Sequence, residues 1–539
     1  MKQRNSGRKN SARKPFNKGP LQKPEDLSVE QMKEKGKGAV AKLTAQVDRI
    51  VQTGGPTVFY ITDGTGMFAI KAFVGPGERA HPNVLEGDVV AITCKIEEFQ
   101  GELEGEAISF IKQTDAEKHK FVEQLKEKER ERAAITPPEF LVNDQILEKL
   151  KEKYVKAATE IRLAVIQNRP IIVRHHNDAD GYSSGFTLEK AILPLIKKQH
   201  SGAKAPWEYF TRAPCSAPFY EIDDSIRDTA RSLSNVAKFS EKMPLVIIAD
   251  NGSSQEDLLG IKQGKVHGIE FIVVDHHFFE EDVISAETLV HINPFLVGED
   301  GAKFSAGMLC AELARFINPD VENIEQIPAM AGLADRIKNE ETMDAYCKIA
   351  EKAGYEKQLL ADISTVIDFV SAKLRFLEAR EYIEVVFGEP HEKQKALVNV
   401  MAPYIRNLDA KGLNMAQAGA KVEKIGPVSL QTIDIHKAFP GFGFFPKPGR
   451  AVGLAHDQVQ VDKKLSSVVT AGLMDTAITF RATDGANFSV HDFIALIEKK
   501  IPEAFVNGGG HKNAGSINFV PSQKEKVVKL LKEFIKKRK

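Results

Sequence analysis

The sequence predicts a multidomain α/β protein: a small N-terminal β-barrel, a domain built on a parallel sheet, and a smaller mixed α/β domain at the C-terminal end. Three observations carry this reading. The chain has 539 residues, past the size at which one hydrophobic core stops growing. From Gly38 short β-rich runs alternate with turns, and from Pro170 to Asn339 apolar strands alternate with helical stretches, the sequence form of βαβ units. From Val398 strands resume, ahead of a basic amphipathic helix.

Residues 1–37 read as a disordered basic tail. Between Lys2 and Lys23 there are eight Lys or Arg and no acid, and the chain closes on "KKRK"; such blocks repel themselves. They serve either as a nucleic-acid arm, displacing counterions from phosphates, or as a solubilising tail. No apolar run approaches the roughly 20 residues that a bilayer span needs, and no signal-peptide pattern is present. A soluble, cytoplasmic protein with no membrane partner is expected. Its four cysteines, Cys94, Cys215, Cys310 and Cys347, show no C-x-x-C pairing and read as reduced thiols rather than a zinc ribbon or disulfide framework.

Residues 38–114 hold about five short strands. "TDGTG" marks a hairpin and Gly87-Asp88 a further turn. Phe59, Phe68 and Phe73 beside Lys71 and Arg79 form the aromatic and basic combination of single-strand binders, although each aromatic taken singly is more at home in a core. Residues 115–160 read as a helical linker: a Glu/Lys-rich stretch to Arg132, the break "ITPPEF", and a periodic segment in which Leu141, Ile146, Leu150, Tyr154, Ala158, Ile161 and Val165 recur at helical spacing.

In residues 161–340, "PIIVRHHNDADG" precedes a helix expected from Ser184, and "PLVIIADNGSS" and "IEFIVVDHH" repeat the pattern. Residues 341–397 read as connecting helices, with "ADISTVIDFVSAKLRFLEAREYIEVVF" as one long amphipathic stretch. Residues 398–539 form the last domain, with strands expected at "PVSLQTIDI", "RAVGLAHDQ" and "SVVTAGLMDTAITFRAT".

Three of these strands end on ionisable groups: Asp178 and Asp180, then Asp250, then Asp275, His276 and His277. The carboxyl ends of parallel strands open onto one crevice, so residues distant in sequence converge. So many carboxylates together repel one another unless a cation neutralises them. Mixed carboxylate and imidazole donors suit Mn²⁺ or a similar divalent ion. In Asp178-Ala179-Asp180 two acids can point into one cavity, and Gly181 permits a sharp bend or a close approach. One carboxylate between two ions can bridge them, and a pair of metals suits in-line phosphoryl displacement. Gly508, Gly509 and Gly510 allow backbone N–H groups close to an anion, with His511 adding a hydrogen bond or charge. Arg481 is a further candidate phosphate contact, with a structural ion pair as its rival.

"HNDADG", Asp250 in "IIADNG", "VVDHH" and Asp335 in "AGLADR" resemble the ordered motifs of the DHH phosphoesterase superfamily, and "GGGHKNAGS" resembles the glycine-rich motif of its associated C-terminal domain. The small β-domain resembles an OB fold, so the order of parts is similar to archaeal RecJ-like single-strand exonucleases, over most of the chain from about Gly38. The resemblance implies two divalent metals, Mn²⁺ first and Mg²⁺ second, held by Asp178, Asp180, Asp250, His276 and Asp335, with Asp250 as bridge. His277 would contact the scissile phosphate and Asp275 would orient a histidine. Some members place the first-motif histidine where this chain has Arg174, so His176 is expected to replace or supplement a ligand. The implied activity is exonucleolytic hydrolysis of single-stranded DNA or RNA, leaning 5′ to 3′, in replication or repair, with a replicative helicase or repair proteins as partners. The other readings are a phosphodiesterase of short oligonucleotides or cyclic dinucleotides, against which the OB-like segment speaks; a non-catalytic replication scaffold, against which the full set of acids speaks; and a tRNA-editing or processing role, for which no synthetase motif is present.

Overall fold

The computed structural model describes residues 23–200, 204–374, 379–438 and 445–537. The basic run before Lys23 and the last two residues lie outside the described residues. Two compact units divide between Lys128 and Glu129.

The first unit is a closed five-stranded OB barrel. A short β1 (Glu25–Asp26) and α1 (Val29–Lys35) precede β2 (Val40–Gln52), β3 (Thr57–Thr62), β4 (Met67–Ala72), β5 (Val89–Phe99) and β6 (Glu102–Lys112). The sheet runs β1-β2-β3-β4-β6-β5, and β2 pairs with β5 to close it. "TDGTG" makes the expected hairpin between β3 and β4, its turn held by Asp63 Oδ1 accepting from the Thr65 N–H at 2.9 Å. The barrel is filled from alternate positions: Phe59 and Phe68 are 0% and 2% exposed. Both are core residues, which removes them as stacking faces; Phe73, just past β4, is 63% exposed.

Helix α2 (Asp115–Ala133) contains the division, and α3 (Gln145–Ile166) opens the second unit's packed core, N-capped by Asp144. Then come β7 (Ile171–His175), α4 (Ala179–Gln199), α5 (Ala205–Glu208), β8 (Phe210–Pro214), α6 (Ile222–Phe239), β9 (Leu245–Ala249), α7 (Gln255–Val266), β10 (Glu270–Val274) and β11 (Val290–Ile292). All five strands are parallel, in the order β11-β10-β9-β7-β8. Every residue of β9 is buried, as expected of a strand covered on both faces. Burying each such Ile or Val stabilises the fold by roughly 1.5–3 kcal/mol. β8 carries no sequence signal of its own, because "FTRAP" has no apolar run.

Helices α8 (Ala306–Ile317), α9 (Ile327–Ala334), α10 (Glu340–Lys352), α11 (Lys357–Leu374), α12 (Arg380–Val386) and α13 (His391–Gly419) follow. The amphipathic stretch from Ala361 holds most of α11 and all of α12, with residues 375–378 between them outside the described residues. The last domain comprises β12 (Lys421–Ile425), β13 (Val428–Asp434), α14 (Ile435–Ala438), α15 (Pro448–Lys463), β14 (Val468–Leu473), β15 (Ala477–Ala482), α16 (Val490–Lys500), β16 (Asn507–His511), β17 (Ala514–Asn518) and α17 (Lys524–Lys536). Its mixed sheet runs β12-β13-β14-β15-β17-β16. "RAVGLAHDQ" lies in α15, not in a strand: its buried Ala451, Val452, Ala455 and Val459 recur at helical rather than alternating spacing. All four cysteines are free thiols. Among the described residues no helix is long and apolar enough to cross a membrane.

Candidate metal centre

The parallel sheet delivers its acids as strand-end residues. The helix expected from Ser184 begins earlier, at Ala179, so Asp178 is its N-cap and accepts from the Gly181 N–H at 2.9 Å. Asp180 sits in the first turn, where a negative charge is favoured by the helix dipole. A Cβ on Gly181 would meet the His176 carbonyl oxygen at 2.1 Å; this is the close approach that requires glycine. Asp250 follows β9 in a left-handed conformation, φ 60°, while its N–H still donates to the Val274 carbonyl at 2.9 Å. A non-glycine residue held there stores strain of order 1–3 kcal/mol, a feature that gathers at functional sites.

Among the described residues four groups of donors lie close enough to hold an ion: His276 with His277 and His511, Asp250 with Asp275 and His277, and two that contain the expected ligands. His176, Asp178 and Asp250 offer atoms within 4.8 Å of one another, and so do Asp180, His276 and Asp335. In the first, His176 Nδ1 lies 2.8 Å from Asp178 Oδ2 and 3.5 Å from Asp250 Oδ2. In the second, His276 Nε2 lies 3.8 Å from Asp180 Oδ2 and 3.5 Å from Asp335 Oδ2. Asp250 Oδ1 is 3.4 Å from the same His276 nitrogen. Asp250 thus stands between the groups, one oxygen toward each. Its Oδ2 is buried and accepts no hydrogen bond, and a buried polar atom is rarely left so without a partner.

The carboxyl of Asp180 has outside support, accepting from the Ala306 and Gly307 N–H groups at the start of α8, both at 2.9 Å. Even so, burial and the neighbouring Asp250 and Asp335 push it well above the usual carboxylate range. Burial, with Asp250 and Asp178 nearby, also raises Asp335. Six oxygen and nitrogen donors, an unpartnered buried oxygen and mutual repulsion among the acids fit divalent cations.

His277 lies beside these groups. Its Nδ1 is 2.7 Å from Asp275 Oδ1, which also accepts from the His276 N–H at 2.8 Å. Burial alone would raise Asp275, yet the adjacent His277 holds it below the usual range. Across from it, the His511 ring stacks on His277 at 4.9 Å and meets His276 edge-on at 5.0 Å. Burial and the two neighbouring imidazoles press His511 well below the ordinary histidine value. Gly508, Gly509 and Gly510 do not form a turn; they are most of β16, the edge strand of the last sheet, and His511 is its final residue. Arg481, in β15, faces the same region: burial and then Arg336 depress its pKa, while Asp335 opposes. Among the described residues its guanidinium has no ion-pair partner, which removes the structural ion pair as its rival role. Arg174 is held away by a bidentate pair with Asp228. Lys71 and Arg79 belong to the other unit, where Lys71 pairs with Glu104 and lies 4.2 Å over the Phe99 ring, and Arg79 donates to the Val84 carbonyl at 2.9 Å.

The N-terminal domain of the DHH family matches residues 170–334, and an OB-fold nucleic acid binding domain matches residues 41–110. A solved structure described as the DHH domain of a member of a family of ribosomal proteins is 33% identical; the match covers 79% of this chain and 100% of that one, with a TM-score of 0.75. The chain belongs to the DHH family. An uncharacterized protein of Methanocaldococcus jannaschii is 36% identical over 96% of this chain and 71% of its own length. The RecJ of Thermus thermophilus, solved with Mn²⁺, shares the fold at 15% identity and a TM-score of 0.50, over 75% of this chain and 56% of that one.

This DHH chain also has cleft residues its sequence did not single out. Lys447 donates to the Asn177 carbonyl, in the first motif, and to Ser371 Oγ at 2.8 Å. Asp368 accepts from the Ala179 N–H at 3.1 Å and pairs with Arg450. Burial lowers the Lys447 pKa against the pull of Asp368 and Asp178. A lone Lys and a mid-helix Asp carry no motif; only packing of the last domain on α11 reveals them.

Proposed function

We propose that the protein is a metal-dependent phosphodiesterase that removes nucleotides from an end of single-stranded DNA or RNA, leaning 5′ to 3′. The observation that carries the reading is the placement of Asp250 between two O/N donor groups. His176, Asp178 and Asp250 would hold one divalent ion, and Asp180, His276 and Asp335 the other, with Asp250 shared. Mn²⁺ is the first choice, in keeping with the RecJ structure solved with that ion, and Mg²⁺ the second. Bound there, such a pair supplies an activated water and neutralises charge on a phosphoryl group.

The chain's own groups do the rest. Asp275 fixes the His277 ring through Nδ1, so the Nδ1 proton points at the carboxylate and Nε2 is left for the cleft. His277 and Arg481 contact the scissile phosphate and stabilise the charge that develops. His511, at the end of the glycine strand, sits against the next phosphate. The OB unit, with Phe73 exposed and Lys71 and Arg79 on the barrel, is a second contact for the single strand. We place the enzyme in the cytoplasm, in replication or repair, with a helicase complex or repair proteins as partners.

The test is digestion of single-stranded DNA and RNA, each labelled at either end, with Mn²⁺, Mg²⁺ or chelator. Metal-dependent mononucleotide release from one end, lost in Asp250→Asn, supports the reading. Tight binding without cleavage would favour the scaffold, and cleavage of di- and trinucleotides alone a small-substrate phosphodiesterase.

A further inference from the structure

Arg336 follows Asp335 in the chain and reaches across to the last domain. It takes the left-handed conformation, φ 55°, in the turn that ends α9. There its N–H donates to the Leu333 carbonyl at 3.4 Å, and the Ile337 N–H donates to the Gly332 carbonyl at 3.0 Å. Glycine is the default residue of such a turn, and an arginine held in it is strained. The Arg336 guanidinium meets Asp457 of α15 with both terminal nitrogens, Nη2 to Oδ2 at 2.9 Å and Nη1 to Oδ1 at 3.2 Å. The two side chains are 62% and 48% exposed. An ion pair so open to water contributes little to stability and exchanges readily for another anion. Arg481 lies along the same face of α15, one turn back: a Cβ on Gly453, four residues before Asp457, would meet Arg481 Nε at 4.0 Å. Four residues of helix span about 6 Å. Two guanidiniums therefore stand close together beside the ligand groups, and after burial it is Arg336 that most lowers the Arg481 pKa. The other charges here are Lys338, 3.6 Å from Asp484, and His511, whose Nε2 is 3.9 Å from Asp335 Oδ2. Asp335 and Asp178, the remaining acids near Arg481, belong to the ligand groups. Paired cations in such a place attract an anion from outside the chain.

We propose that Arg336 is a second guanidinium for the nucleic-acid backbone: it binds the phosphate adjoining the one at Arg481, and Asp457 is the counter-ion it leaves when a strand enters. The assignment rests on the phosphodiesterase reading and deepens it. A phosphate accepts the planar fork in the same two-bond geometry that Asp457 uses, so the exchange needs a side-chain swing and no movement of the fold. Two cations in line suit a polyanion that continues past the scissile bond, whereas a substrate with one phosphodiester engages Arg481 alone. The rival role for the Arg336–Asp457 pair is a bridge between the parallel-sheet domain and the last domain. The two roles differ in sign. Loss of either partner of a bridge acts alike, but if Asp457 competes with the strand, removing its charge tightens binding while removing Arg336 weakens it.

Fluorescence anisotropy of labelled oligo-dT and oligo-U on the full-length Asp250→Asn chain with Mn²⁺, together with KM on the active chain, tests this. Arg336→Ala should raise Kd and KM by about 10-fold with kcat little changed, and should lower the slope of log Kd against log salt by about 0.7, the loss of one phosphate contact on a single strand. Asp457→Asn should tighten binding by about 3-fold. Added to Arg336→Ala it should do nothing more, because Asp457 acts only through Arg336. An uncharged methylphosphonate placed at each linkage in turn should weaken binding at one linkage to which the Arg336→Ala chain is indifferent. An Asp457→Asn chain that binds no tighter, or an Arg336→Ala chain with unaltered affinity or salt slope, overturns the proposal and leaves the pair as a bridge between domains. A wild-type chain that neither binds nor cleaves either strand removes the phosphodiesterase reading, and this subsite with it.

Discussion

Asp250 Oδ1 lies 3.4 Å from His276 Nε2, while its other oxygen turns to His176 Nδ1 at 3.5 Å. One carboxylate thereby joins the ends of β7, β9 and β10. Asn keeps the shape and tolerates φ 60°, so Asp250→Asn is expected to fold, to bind single strands near wild-type affinity, and to lose at least about 10³-fold in turnover. Single-turnover cleavage and a filter-binding titration measure the two separately.

Asp275 acts through His277, to which it is held at 2.7 Å. Asp275→Asn should lower kcat by about 10- to 100-fold with KM little changed. It should also shift the alkaline limb of the pH–rate profile toward lower pH, because the imidazolium that faces the phosphate loses the carboxylate that holds its proton. An unchanged profile would assign Asp275 a packing role only.

Arg481 has burial but no ion-pair partner among the described residues. Arg481→Lys retains the charge but not the planar fork. We expect it to recover only part of the activity that Arg481→Ala loses, with the loss of kcat/KM in the alanine variant being about 100-fold. Full activity in Arg481→Ala would remove it from the site.

Glu312, fully buried in α8, accepts from Tyr346 Oη at 2.7 Å and from the Leu141 N–H at 3.1 Å. Burial, partly offset by these hydrogen bonds, lifts its pKa to about 7, above the ordinary ~4.3 of a free Glu. The fold therefore holds a proton that the unfolded chain releases. The stability this contributes is complete below about pH 4 and is lost as pH rises through 7, on the order of 3 kcal/mol at most. Glu312→Gln should raise Tm relative to wild type at pH 8 and leave it nearly equal at pH 4.5, as calorimetry at both values will report.

Metal binding has a readout independent of turnover. Mn²⁺ should raise the Tm of the wild-type chain with a concentration dependence set by mass action, and Asp180→Asn or Asp335→Asn should blunt the rise. A Tm indifferent to Mn²⁺ in the wild type would sink the metal-centre reading.

Much of the parallel-sheet domain is legible because its physics is local: a β-branched run buried on both faces has one reading, and an Asp or His ending three such runs must meet its counterparts at one sheet edge. Asp178, Asp180, Asp250 and His276 emerge that way, whereas Asp335, at the end of a helix, enters through resemblance. The turn at Asp63 is equally local. α15 reads as a strand in the sequence because its small residues give weak periodicity, and α4 reads as starting at Ser184 because D-x-D-G looks like a turn until Asp178 is seen to cap the helix.

By itself, then, the sequence determined the order of domains, three of the five strands of the parallel sheet and most of the acids at its edge. Only the tertiary structure decided which oxygen of Asp250 faces which histidine, that His511 reaches His277 from a strand far along the chain, that Lys447 ties the last domain to the first motif, and that α6 turns a polar face inward. The reason is physical. Periodicity and side-chain type report on a residue's immediate neighbours along the chain, whereas these relationships depend on how separately formed layers dock: the polar face of α6 is buried because Arg174, Ser216 and Gly260, all from other segments, meet Asp228, Asp224 and Ser225 beneath it.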